Sequence, residues 1–267
     1  MDAKSYRNTV KVLVIITFLL MIGANAIANI LPLNGITTGD VSLVYDNLFA
    51  PAGITFTIWG VIYVALAAFT LYQAGLLKSS NDTVKDNLLN KVGILFSISS
   101  LANTAWIFAW HYDLIALSLI FMLAILICLI WINGIMVKEK LTDKEKWLVR
   151  MPFMVYHGWI TVAAIANITV LLVSMGWNGF GISEPVWAVI MIAAGAVIGS
   201  LTAIAYKSVA YILVLVWAYI GILIKHTSAD GFALRYTGVI AAVIICIALL
   251  IGVAVYVFDS IRKMKEK

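Results

Sequence analysis

The sequence is poor in charge. Only 12% of its 267 residues are Asp, Glu, Lys or Arg, against 63% hydrophobic, and the mean hydropathy is +1.04. Soluble domains carry about a quarter charged residues, so a water-soluble globular domain is excluded, and no stretch between the apolar runs is long enough to form a core of its own. Cysteine is nearly absent: Cys128 and Cys246 both sit inside apolar runs. That placement gives no disulfide framework and no metal spacing, and leaves both as small packing residues. Nor is there a paired-carboxylate, nucleophile–base, phosphate-cradling or metal-cluster pattern, so no enzyme chemistry is read from a motif. No Asp, Glu, Lys or Arg lies deep in an apolar run, which argues against an ion-coupled carrier. His157 alone approaches that role, and it reads either as a hydrogen-bonded packing residue or as a haem ligand or proton relay. Internal repeats and low-complexity segments are also lacking.

What remains is apolar runs of membrane length, about 20 residues being enough to cross the hydrocarbon core. They predict spans at about 12–31, 54–77, 92–110, 114–137, 152–175, 185–206, 208–224 and 235–258. The expected fold is therefore an all-α polytopic membrane protein, a bundle of eight transmembrane helices. The division expected is a five-helix membrane domain over 1–175 and an additional three-helix region with a short tail over 176–267. Lys4, Arg7 and Lys11 ahead of the first run imitate a signal peptide, but the run is as long as a full span, and an uncleaved first helix is expected. With a cytoplasmic amino terminus, 16 of the 18 Lys and Arg, including Lys267 in the tail, fall on the cytoplasmic side; only Lys225 and Arg235 lie outside. That asymmetry predicts a multi-pass cell-membrane protein with both termini cytoplasmic. The net charge of +5 is met by anionic lipid headgroups, so the bilayer is the partner it calls for and nucleic acid is not.

The richest stretch runs from Phe49 to Leu77. Pro51 and Gly53 keep the chain out of helix until about Ile54, and Trp59 and Tyr63 then lie one turn apart on one face. Asn25 and Asn29 pair at i, i+4 in the first helix, Asn103 and Trp106 at i, i+3 in the third. In the fifth, Trp159, Ala163 and Asn167 form a stripe at i, i+4, i+8. With the orientation above, these residues share one layer in the outer half of the bundle, under the loop 32–53. They read either as interhelical packing and hydrogen-bond partners or as the wall of an apolar pocket with a few amides. Gly195 and Gly199 suit a close helix contact in the sixth span. Trp110, Trp131, Trp147, Trp177 and Trp187 fall near helix ends and read as an aromatic belt, and Trp217 has no assigned role.

Three of these motifs, in order and in the right helices, resemble the tryptophan-rich sensory protein family, also called TspO/MBR or translocator protein. Pro51 and Gly53 before TFTIWGVIY resemble its second-helix signature, Asn103-Thr-Ala-Trp106 its third-helix Asn-x-x-Trp, and Trp159, Ala163 and Asn167 its fifth-helix stretch. The resemblance covers about residues 1–175. It departs at Ala52, where the family has a second proline, and in a loop without the usual Trp-rich stretch. Pro152 also lies farther from Trp159 than in the family. An alternative register puts Tyr156 at the Trp position, and Trp159 is preferred because Asn167 then also fits. The resemblance implies a membrane receptor or sensor that binds a porphyrin, haem or sterol-like molecule under the loop between helices one and two. It implies no resident cofactor, and a homodimer. The site residues implied are Trp59, Asn103, Trp106, Trp159, Ala163 and Asn167, to which their shared layer adds Tyr63, Asn25 and Asn29. A facilitative permease for a small hydrophobic molecule is the competing expectation, and an enzyme is not expected.

Overall fold

In the computed structural model, residues 2–31 and 33–266 are described. Pro32, where the first loop was expected to begin, and Lys267 lie outside the described residues. Among the described residues nine α-helices of seven residues or more carry the chain: α1 (Ala3–Ile30), α2 (Thr38–Val44), α3 (Ile58–Ala74), α4 (Asp86–His111), α5 (Ile115–Met136), α6 (Met151–Ser174), α7 (Glu184–Tyr206), α8 (Val209–Thr227) and α9 (Thr237–Lys265). Eight stretches among the described residues are long and apolar enough to cross a membrane, and no strand occurs among those residues.

Boundaries differ from expectation where polar residues still have helical work to do. α1 begins at Ala3 because the Asp2 carboxylate accepts the Ser5 N–H at 2.6 Å and caps the basic first turns. α4 begins six residues early, at Asp86, because Leu88, Leu89 and Val92 continue its buried face through the polar turn. The 32–53 loop holds α2, and Gly53–Thr57 forms a 3-10 turn, so α3 starts at Ile58 rather than Ile54. A π-helical turn, Lys146–Arg150, leads into α6, preceded by a Thr142–Glu145 capping box. Lys207, in the left-handed region at φ 47°, ends α7, and Ser208, the very next residue, caps α8, which is how so short a link separates two spans.

The chain forms two compact units. One comprises residues 1–38 and 59–157, the other residues 39–58 and 158–267. In the first, α1 packs on α4 and α4 on α5. The rings of Phe69, Phe96 and Phe153 meet edge to face, with centroids 4.7 to 5.5 Å apart, and tie α3, α4 and α6 together. Gly93 permits the closest approach: a Cβ there would stand 2.8 Å from Val10. In the second unit α9 packs on α7 and α8. A Cβ at Gly195 would stand 2.7 Å from the Tyr219 hydroxyl, which donates to the Ile192 carbonyl, and Gly199 is pressed against Leu215, so the expected small-residue face is a close contact with α8.

Candidate functional site

In the first unit, α3 opens with an aromatic wall. Trp59 stacks on Tyr63, with ring centroids 5.5 Å apart and planes 21° from parallel. Trp106 of α4 lies 6.0 Å from Trp59 and is itself stacked on Trp110 at 5.9 Å. Tyr156 of α6 meets Trp59 edge-on, also at 6.0 Å. A chain of amides runs beside these rings. Asn25 Nδ2 donates to the Met21 carbonyl at 2.9 Å and to Asn103 Oδ1 at 2.7 Å, and Asn103 Nδ2 donates to the Tyr156 hydroxyl oxygen at 3.1 Å. One polar atom of the wall is left over. The Tyr63 hydroxyl is buried with no hydrogen-bond partner among the described residues, a situation that costs about 1–3 kcal/mol.

Asn29 does not join the amide chain. It is exposed, donating to the Asn25 carbonyl at 2.9 Å and accepting the Thr38 N–H at 3.4 Å, which turns it toward the start of α2. The segment 33–38 is hung on the end of α4. His111 Nδ1 meets the Leu33 carbonyl at 3.0 Å and His111 Nε2 the Thr38 hydroxyl at 3.1 Å. Asn34 Nδ2 donates to the His111 carbonyl at 3.1 Å, and Trp110 Nε1 to the Thr38 carbonyl at 3.2 Å. Trp110, expected in an aromatic belt, is therefore buried under the loop; Trp131 and Trp147 are exposed near helix ends as expected. His157 is buried, with Nδ1 3.2 Å from Asn133 Nδ2, which is the packing role.

The second unit holds the remaining expected residues. Trp159 is buried and meets Phe56 edge to face at 5.6 Å; Asn167 is buried and Ala163 half-buried. Pro51 is buried and Gly53 exposed, in an approach that α8 fastens from Leu48 to Thr55. The Ala52 N–H donates to the Gly221 carbonyl at 3.0 Å, Trp217 Nε1 to the Thr55 carbonyl at 3.0 Å, and His226 Nε2 lies 2.9 Å from the Leu48 carbonyl. Lys225 adds an ion pair with Asp46 at 3.7 Å, and Thr55 presses on Gly221, where any side chain would collide.

Sequence reasoning missed Tyr156 as a contact of Trp59, although it had Tyr156 as the alternative to Trp159 in α6. It also missed the fastening by α8. The available signals were Trp217, a mid-span tryptophan without an assigned role, and Lys225, one of two cations expected on the outer side.

These features define a polytopic helical membrane protein with a buried tryptophan–tyrosine wall backed by interhelical amides. The chain belongs to the TSPO-like protein family, whose family model matches residues 11–256. The match continues from α1 into α9, beyond the first five spans. Neither the curated proteins nor the solved structures contain a match. Membership suggests a membrane ligand-binding or sensory role.

Proposed function

We propose that this protein binds a flat, largely apolar molecule, a porphyrin or haem or a sterol-like ligand, against the Trp59–Tyr63–Trp106 wall, and acts as a membrane sensor of it. The observation that carries the reading is the Tyr63 hydroxyl: a buried donor without a partner among the described residues, set among stacked rings, is what a ligand with one polar edge would complete. Trp faces stack on a planar ligand, while Asn25 and Asn103 hold Tyr156 and the wall in place. The family resemblance implies Trp159, Ala163 and Asn167 as ligand contacts as well. The protein works in the cell membrane with both termini cytoplasmic, as a homodimer, and with the bilayer and the ligand as its other partners. The ligand is its cargo or signal; no resident cofactor and no catalytic group is assigned.

The test is a titration of the detergent-purified chain with protoporphyrin IX, read at the porphyrin's own absorbance band, for the wild type and for Tyr63→Phe and Trp59→Ala. Saturable binding that weakens about tenfold in Tyr63→Phe supports the assignment. Equal binding by all three overturns it. Flux into liposomes that follows a gradient and saturates would assign a facilitative permease instead.

A further inference from the structure

A cavity lies within the second unit, and the function proposed above makes no use of it. It has a volume of about 270 Å3 and lies where α6 ends and α7 begins, walled by Leu48, Phe49, Leu172, Trp177 and Trp187, with Glu184 at its edge. We propose that this cavity binds an amphipathic organic amine, an aromatic or hydrocarbon body carrying one protonated nitrogen.

The walls are built rather than incidental. Trp187 Nε1 donates to the Gly179 carbonyl at 2.8 Å, which fixes the plane of the indole. Gly179 has φ +63°, and a Cβ there would stand 2.9 Å from Trp187 Nε1, so only glycine lets the ring sit where it does. Trp177 lies against Trp187 at 5.1 Å, and Phe180 meets Trp177 edge to face at 5.3 Å. Two tryptophans are thus held at the cavity before anything binds.

Polar groups at the cavity decide the ligand's charge. The Asn47 amide is engaged at both ends, Nδ2 donating to the Tyr45 carbonyl and Oδ1 accepting the N–H groups of Phe49 and Ala50. Thr169 donates to the Ile165 carbonyl, and Asn178 Oδ1 accepts the Phe180 N–H. Glu184 is different. The Leu48 N–H lies on the side of its carboxylate, yet a carboxylate has about four acceptor positions, and the side chain is exposed at the edge. The charges that act on Glu184 are Asp46 and Lys225, and Lys225 is already paired with Asp46 and placed 5.0 Å over the Phe232 ring. Counting the three, the edge keeps one negative charge.

A carboxylate next to tryptophan faces is the chemistry that recognises an ammonium group, by charge-assisted hydrogen bond and by cation–π attraction. The apolar remainder takes hydrocarbon, and the volume has room for a body of roughly ten heavy atoms. An anion would meet the Glu184 charge, and a neutral molecule would leave it unmatched.

The test is calorimetric titration of the full chain in lipid nanodiscs, with 4-phenylbutylamine as probe, its alcohol 4-phenylbutanol as neutral counterpart, and empty nanodiscs as blank. The expected result is saturable binding of the amine, about tenfold tighter than the alcohol. Glu184→Gln should bring the two affinities together, and Trp187→Ala should weaken both. The comparison of amine with alcohol uses the wild-type chain alone, so it decides the matter even if Glu184→Gln does not fold. Equal affinity for amine and alcohol, no saturable heat above empty nanodiscs, or a preference for the amine that survives in folded Glu184→Gln would overturn the proposal.

Discussion

Asn25 of α1 and Asn103 of α4 share a hydrogen bond of 2.7 Å in the buried interior of the first unit. Both amides are buried, so each depends on the other, and Asn103 passes the dependence on to Tyr156. Replacing Asn103 by Ala leaves Asn25 and Tyr156 short of a partner. The expected cost is about 1–2 kcal/mol, seen as a lower thermal unfolding midpoint in detergent, and Asn25→Ala with Asn103→Ala should cost less than the two single losses added together.

Glu145 does comparable work at the other end of the same unit. Its buried carboxylate accepts the N–H groups of Thr83, Val84 and Thr142 at 2.6 to 2.7 Å, and the Thr83 hydroxyl at 2.8 Å. Glu145→Gln keeps the shape and removes the charge on which these bonds rely. A loss of about 2–4 kcal/mol is expected, with the 79–85 loop becoming the first site of proteolytic cleavage.

The fastening of Leu48–Thr55 by α8 predicts a local effect. Gly221→Val forces Thr55 away and overpacks the contact, at about 1–3 kcal/mol. Amide exchange at Ala52, whose N–H bonds to the Gly221 carbonyl, should quicken about tenfold or more. Unchanged exchange at Ala52 would show that α8 does not hold this approach.

Orientation is open to a labelling experiment, because both native cysteines are buried. Ser80 and Asp230 are exposed on different links. With both termini cytoplasmic, Asp230→Cys should react with a membrane-impermeant maleimide in intact cells and Ser80→Cys only after permeabilisation. The reverse pattern would invert the topology.

Much of the fold was legible because membrane spans announce themselves by length and lack of charge; eight were expected, and eight helices long and apolar enough occur among the described residues. Trp59 and Tyr63 were legible as neighbours for the same reason that any i, i+4 pair is. Contacts between helices were not. Periodicity says that Asn25 and Asn103 face inward, yet gives no register between α1 and α4, so their mutual bond was invisible. Tyr156 and Trp159 are one turn apart and equally aromatic; only packing separates the one that meets Trp59 from the one that meets Phe56. The hold of α8 on residues 48–55 joins positions more than 160 apart, beyond the reach of any local pattern. α2 was missed because TGDVSLV is short and polar, and its helix rests on Thr38 being anchored by His111 and Trp110.

The central claim is that the Trp59 wall holds a flat ligand, and tryptophan fluorescence reads it most directly. Protoporphyrin IX is titrated into the purified wild-type chain and, in parallel, into the Trp59→Ala/Trp106→Ala double variant. The account predicts saturable quenching in the wild type that is lost in the variant. Quenching that never saturates, or that is the same in both, would contradict it.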